Sequence, residues 1–309
     1  IKSFCCKCRQ NLNMRLLEVT KQRLETLNES GSMSGVGAIH IDEIEPTLDY
    51  LEKSLGMDLK NNVLGSVGKK EFSGDIDVAI DVEPDAMPEL LDKLKINPDI
   101  IDIAKSSVIM TKVKIANFDA NKTTDKARTG YVQLDFMPGN PGWMKTYYHS
   151  PADGESQYKG VYRNILLAVV SALYNRKDSE EKTEDGRSLE SEQYLFSPTK
   201  GLVRVRRNPV PKKNGDGYTK QNTNVIIDGP WLTPEAMVKV LGLDSKEDLN
   251  SYESLKSAIE KNYPAELTNK ILDSFADNKQ IKDLGVPTDL QIAEDVLMYM
   301  RKLSWDLEK

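Results

Sequence analysis

Residues 64 to 81 read LGSVGKKEFSGDIDVAID, and the second half of this stretch, Ser73-Gly74-Asp75-Ile76-Asp77-Val78, decides the fold. Ile76 to Val82 alternates apolar and acidic residues with a period of two, the mark of a half-buried strand. Residues i and i+2 of a strand face the same way, so Asp75 and Asp77 project two carboxylates from one face. Like charges that close repel, and one of them is pushed toward protonation. A divalent cation removes that penalty. Mg²⁺ takes carboxylate oxygens and keeps waters or substrate phosphates in its other positions. Upstream, Gly65-Ser66 closes a short apolar stretch, 62 to 65, read as a strand. A glycine and a hydroxyl at a strand end allow close approach of phosphate oxygens. Lys69 and Lys70 lie in the same turn, where their charge would offset a triphosphate. An exposed strand edge with ordinary surface acids would explain the alternation but not the Gly-Ser turn.

A third carboxylate is expected on a neighbouring strand, and Asp135 in YVQLDFMP (131 to 138) fits. It sits between Leu134 and Phe136, where an unpartnered Asp would cost several kcal/mol. Three carboxylates on adjacent strands can hold two metal ions roughly 4 Å apart, the arrangement for in-line phosphoryl or nucleotidyl transfer.

The Gly-Ser turn, the Ser-Gly-Asp-Ile-Asp-Val run and the later apolar-Asp-apolar strand together resemble the DNA polymerase beta-type nucleotidyltransferase superfamily, over about residues 62 to 138. The resemblance implies an α/β (α+β) fold, a nucleotidyltransferase-type mixed-sheet palm flanked by helices, with a helical C-terminal module. It implies that Asp75 and Asp77 bind both metals, and that Asp135 binds the catalytic metal and helps deprotonate the acceptor hydroxyl. Gly65 and Ser66 would bind the β- and γ-phosphates. Lys69 or Lys70 would replace an arginine that family polymerases often carry near this turn, a departure that affects the triphosphate contact. The cofactors implied are two Mg²⁺ ions, with Mn²⁺ able to substitute, and the substrate is an NTP such as ATP. The acceptor is read as a nucleic-acid 3′ end, RNA or DNA. The alternatives are a small-molecule or protein acceptor, a non-catalytic nucleotide-binding protein on the same fold, or a carboxylate-metal phosphohydrolase.

The whole chain of 309 residues carries a net charge of −6 and is 39% hydrophobic, enough for a sizeable core. That charge argues against coating nucleic acid by bulk positive charge, but not against gripping it through a local patch. No apolar run approaches the roughly 20 residues that span a bilayer. Cys5, Cys6 and Cys8 are the only cysteines, so no disulfide framework is available and a reducing, cytoplasmic compartment is the simplest expectation. They could supply part of a zinc site, but a tetrahedral site needs a fourth ligand. Residues 1 to 13 read instead as a leader preceding Met14, and losing their three cations would take the net charge from −6 to −9.

The remaining pattern divides the chain into N-terminal helices over 14 to 56, a catalytic core over 57 to 230 and a helical module over 231 to 309. Helices are expected over 14 to 28, 41 to 55, 87 to 94, 98 to 104, 158 to 174, 249 to 261, 266 to 276 and 289 to 307, with a Thr-Pro helix start at Thr233. Strands are expected over 107 to 116, 131 to 137, 201 to 207 and 224 to 228, and residues 176 to 192 read as a charged excursion. Lys159 and Arg163, four apart, would share a helix face, and the resemblance makes them candidates for the triphosphate; a solvated helix start is the alternative. Residues 200 to 220 hold seven cations and one acid. Arg204 and Arg206 on one strand face, with Arg207, would suit phosphate, unless they pair with the acidic excursion. His40 and His149 are read as structural.

Overall fold

The computed structural model describes residues 33–82, 86–105, 108–213, 215 and 217–290, which form two compact units, one ending at Pro141 and one starting at Gly142. The first unit opens with β1 (Ile39–His40) and α1 (Ile41–Leu55). The α1 start is fixed by reciprocal capping: Asp42 N donates to His40 Nδ1 at 3.1 Å, and His40 N donates to Glu43 Oε2 at 3.0 Å. Gly56, at φ 67°, closes the helix in the left-handed conformation that favours glycine.

Then come β2 (Phe72–Ser73), β3 (Asp75–Ile80), α2 (Met87–Ile96), β4 (Ile100–Lys105), β5 (Ile109–Lys114) and β6 (Tyr131–Pro138). The last four strands from β3 form one mixed sheet in the order β3-β6-β5-β4, with β3 and β6 parallel and the other pairs antiparallel. Ile76, Val78 and Ile80 are buried from one face of β3 with Leu134 and Phe136 of β6, Leu48 and Leu51 of α1 and Leu94 of α2. The opposite parity of β3 therefore carries Asp75 and Asp77, both half-buried.

Two elements differ from the sequence reading here. Residues 98 to 104, expected as a helix, form a turn at 98 and 99 and then enter strand β4. Asn97 ends α2, with its Nδ2 donating to Ser54 Oγ at 2.8 Å and its Oδ1 accepting from Asp99 N at 3.0 Å. The β-branched run that follows then pairs along β5. Residues 62 to 65 make one bridge, Val63 to Val78, rather than a strand, and are preceded by a 3₁₀ turn.

A buried ion pair ties α1 to the polar loop between β5 and β6. Arg128 Nη1 and Nη2 donate to Glu43 Oε2 and Oε1, both at 2.8 Å. The guanidinium also donates to the carbonyls of Ala38, Asp119 and Lys122 and lies over the rings of Phe118 and Phe72.

The second unit contains α3 (Pro141–Tyr147), which begins at the junction, then α4 (Gly160–Leu173) and an antiparallel sheet of β7 (Lys177–Asp178), β8 (Ser191–Ser197), β9 (Gly201–Pro211) and β10 (Tyr218–Trp231) in the order β10-β9-β8-β7. Helices α5 (Pro234–Leu241), α6 (Tyr252–Asn262), α7 (Ala265–Ala276) and α8 (Lys279–Leu284) follow. α4 is apolar nearly all round, as a central helix must be. Leu166, Leu167 and Val170 are buried with Phe196 of β8, Leu241 of α5, Leu255 of α6 and Ile271 of α7.

The sequence reading drew boundaries at 56/57 and 230/231, but the two clusters of buried side chains run across those positions: α1 shares the core of β3 and β6, and α5 to α7 share that of α4 and β8. The helices read over 14 to 28 and most of 289 to 307 lie outside the described residues, as do the three cysteines. Among the described residues, no helix is long and apolar enough to cross a membrane.

Candidate active site

β3 and β6 run parallel in a register that pairs Asp77 with Asp135 and Asp75 with Gln133. Directly paired residues of neighbouring strands share a face, so all three carboxylates lie on the side of the sheet opposite the α1 and α2 core. The Gly-Ser turn is fastened to the same strand. Leu64 N donates to Asp77 O at 2.9 Å. Gly65 has φ +67°, and a Cβ built there would lie 3.9 Å from Asp77 Oδ2. The left-handed backbone favours glycine here, while a Cβ would make only ordinary contact with the Asp77 carboxylate alongside. Ser66 is exposed, and Lys69 N donates to Ser66 O at 3.1 Å, so Lys69 and Lys70 belong to this turn.

The electrostatics of the three acids follow from burial and mutual repulsion. Burial, then the charges of Asp75 and Asp135, push Asp77 up to about 7. Burial raises Asp135 to about 6, against the hydrogen bond from Gln133 and with the Asp75 charge adding to the rise. Asp75 is raised by burial, opposed by the charge of Lys126 in the polar loop. A carboxyl whose folded pKa exceeds its unfolded value near 4 contributes stability below that value and loses it as pH rises through the folded one. The metal-free protein is therefore expected to lose thermal stability between about pH 5 and pH 8. Mg²⁺ should restore it at pH 8 and do little at pH 5, where protons compete; melting curves over that grid check this, and a flat Mg²⁺ response at pH 8 counts against a metal site.

Gln133 was not distinguished by the sequence pattern, yet it organises the site. It is 3% exposed. Its Nε2 donates to Asp135 Oδ1 at 3.0 Å and Oδ2 at 3.1 Å, while its Oε1 accepts from Met33 N at 3.0 Å. The backbone donor fixes which end of the amide faces the carboxylate.

The donors gathered here are all carboxylate oxygens, which suit Mg²⁺ or Mn²⁺ rather than a soft ion. Among the described residues, no group of three or more His, Cys, Asp or Glu side chains could by itself hold a metal ion. Mg²⁺ commonly takes only one or two carboxylates and fills its octahedron with water and substrate phosphate, so the paired Asp77 and Asp135 fit that mode of binding.

The other residues singled out in the sequence belong to the second unit. Lys159 is exposed and is the N-cap of α4, outside the helix, so the four-residue spacing does not set it on a helix face with Arg163. Arg163 is buried and donates to the carbonyls of Leu249, Thr146 and Tyr147 and to Asn164 Oδ1. Arg204 and Arg206 do share a face, but both pair with Glu192, at 3.1 and 3.0 Å, and Arg206 also with Glu190 at 3.4 Å. The acidic excursion thus neutralises part of the basic strand. Burial, then the nearby Arg176, lowers Arg207, whose Nε is buried without a hydrogen-bond partner. His40 caps α1, with Lys122 Nζ 3.0 Å from its Nδ1.

No protein-family model matches the chain, and no curated protein matches it. Among solved structures, it is similar to the polymerase beta of Leishmania infantum in a ternary P/T complex, at 13% identity over 69% of this chain and 77% of that one, with a TM-score of 0.37. The same enzyme in a ternary gap complex matches at 14% identity over 69% of this chain and 71% of that one, with a TM-score of 0.37. At that level the likeness is too distant to assign an activity or a substrate.

Proposed function

We propose that the first unit carries the active site of a metal-dependent nucleotidyltransferase, which moves NMP from an NTP to an acceptor hydroxyl and releases pyrophosphate. The observation that carries this reading is the in-register pair Asp77 and Asp135, with Asp75 on the same face and the Gly65 turn against Asp77. In the reaction, the acceptor oxygen bonds to the α-phosphorus, the bond from that phosphorus to the bridging oxygen breaks, and pyrophosphate leaves. Bound at these carboxylates, Mg²⁺ would supply charge stabilisation for the phosphoryl oxygens and a lowered hydroxyl pKa. Asp135, held by Gln133, is the group that takes up the hydroxyl proton. Gly65 leaves the backbone open for phosphate beside Asp77, and Ser66 with Lys69 or Lys70 completes the cradle. A second ion would need triphosphate oxygens as shared ligands.

The acceptor is proposed to be a nucleic-acid 3′ end, supported by the cationic β9 strand with Arg207. A small-molecule or protein acceptor is the second reading, favoured by the pairing of Arg204 and Arg206 with Glu192. Incubation with each α-labelled NTP, Mg²⁺ or Mn²⁺, and RNA, DNA or small-molecule pools tests both. Label transfer with pyrophosphate release supports the reading; phosphate release instead, or no turnover with any acceptor, overturns it. Within this scheme Gln133→Leu should weaken Mg²⁺ binding about 10- to 100-fold, the usual effect of removing a ligand's hydrogen-bond partner, and a metal titration of turnover measures it.

A further inference from the structure

The second unit contains a cavity of about 340 Å³ whose wall includes Lys145, His149, Arg163, Lys246, Glu247 and Asn250. It contains none of the three carboxylates of the first unit. Three of these residues are cationic and one, Glu247, is acidic and exposed. Arg163 is 2% exposed, and among the described residues its hydrogen bonds all go to neutral oxygens: the carbonyls of Leu249, Thr146 and Tyr147, and Asn164 Oδ1. A buried guanidinium with no carboxylate partner is costly, and burial pushes its pKa down to about 10. Lys145 is exposed and has no ion pair among the described residues. Among the described residues, Lys246 pairs with the exposed Glu235 alone, at 3.5 Å, a contact of little energetic weight. The volume lies within the range of small-ligand pockets.

We propose that this cavity binds the phosphate group of a small ligand, with Arg163 as its fixed positive wall and Lys145 and Lys246 as mobile cations closing on the anion. Guanidinium and ammonium groups in this combination match phosphate oxygens in charge and hydrogen-bond donors. The site is independent of the carboxylate reading.

Calorimetric titration of the full chain with inorganic phosphate and with pyrophosphate, at constant ionic strength against a chloride reference, tests it. Arg163 is too embedded to vary cleanly, so the exposed Lys145→Glu and Lys246→Glu variants carry the test. The expected result is saturable binding that each variant weakens about tenfold or more, as the reversal of one charge contact predicts. The double variant Asp75→Asn with Asp77→Asn should bind as the wild type does. AMP binding more tightly than phosphate identifies a nucleotide as the source; equal binding identifies the free anion. No saturable binding above chloride, unchanged binding in both lysine variants, or loss of binding in the aspartate variant overturns the assignment.

Discussion

Asp77→Asn is expected to abolish metal-dependent nucleotidyl transfer and, in the same protein without metal, to raise the melting temperature at pH 8. The two effects have opposite signs because one cause produces both. Asp77 is half-buried beside Asp75 and Asp135, and its loss of solvent, then their repulsion, lifts it to about 7. At pH 8 that carboxylate is ionised against an unfavourable field, and a neutral amide of the same shape removes the cost. The same substitution removes a hard anionic ligand from the metal pair, and the loss of rate should be at least about a thousandfold, the upper end of what single electrostatic groups contribute to phosphoryl and acyl transfer. Asp81→Asn is the control. It lies on the same strand parity but is exposed at the strand end, so activity should stay near that of the wild type. If Asp77→Asn instead lowers stability at pH 8 while turnover persists, the acid is an ordinary structural residue and the site reading fails.

The three acids were legible from sequence as separate candidates because each stands out locally. Asp75 and Asp77 stand out as acids on one face of a period-two strand, and Asp135 as an acid inside an apolar one. The register that joins them depends on β3 and β6 running parallel, a contact between residues about 58 positions apart that no local pattern carries. Gln133 was invisible for a related reason. A glutamine on a half-buried strand is unremarkable until its amide is seen between Met33 N and the Asp135 carboxylate. Strand β4 was misread because a six-residue isoleucine-rich run has no period of its own; the edge of β5 decides its form. Strand β8 was overlooked beside the charged excursion, although its Glu192 supplies the partner for Arg204 and Arg206. The spacing of Lys159 and Arg163 suggests one shared helix face, but that argument fails when Lys159 precedes the helix as its cap.

The largest effect on stability is expected at the Glu43–Arg128 pair. Side-chain exposure is 2% for Glu43 and 9% for Arg128, so neither group can return to water if its partner is lost. Arg128→Ala leaves a buried carboxylate without its cation and removes the guanidinium bonds to the carbonyls of Ala38, Asp119 and Lys122, and should destabilise the first unit by about 3–5 kcal/mol. Glu43→Gln keeps the shape and some hydrogen bonds, and should cost less, about 1–3 kcal/mol. Burial alone would raise Glu43, but the Arg128 hydrogen bonds outweigh it, with the N–H groups of Asp119 and His40 and the Arg128 charge, holding it down to about 2. A depressed carboxyl contributes stability above its unfolded pKa and loses it as pH falls through the folded value. The gap between the wild type and Glu43→Gln should therefore be full at pH 7 and shrink between about pH 4.5 and pH 2. Denaturant unfolding across that range measures it, and a gap that widens on acidification would contradict the pairing. The consequence reaches the candidate site, because Arg128 pins the polar loop that carries Lys126, a cation whose charge opposes the rise in the Asp75 pKa. An Arg128 variant that still folds should thus hold Asp75 more readily in its protonated form, a coupling that a purely structural anchor remote from the carboxylates would not produce.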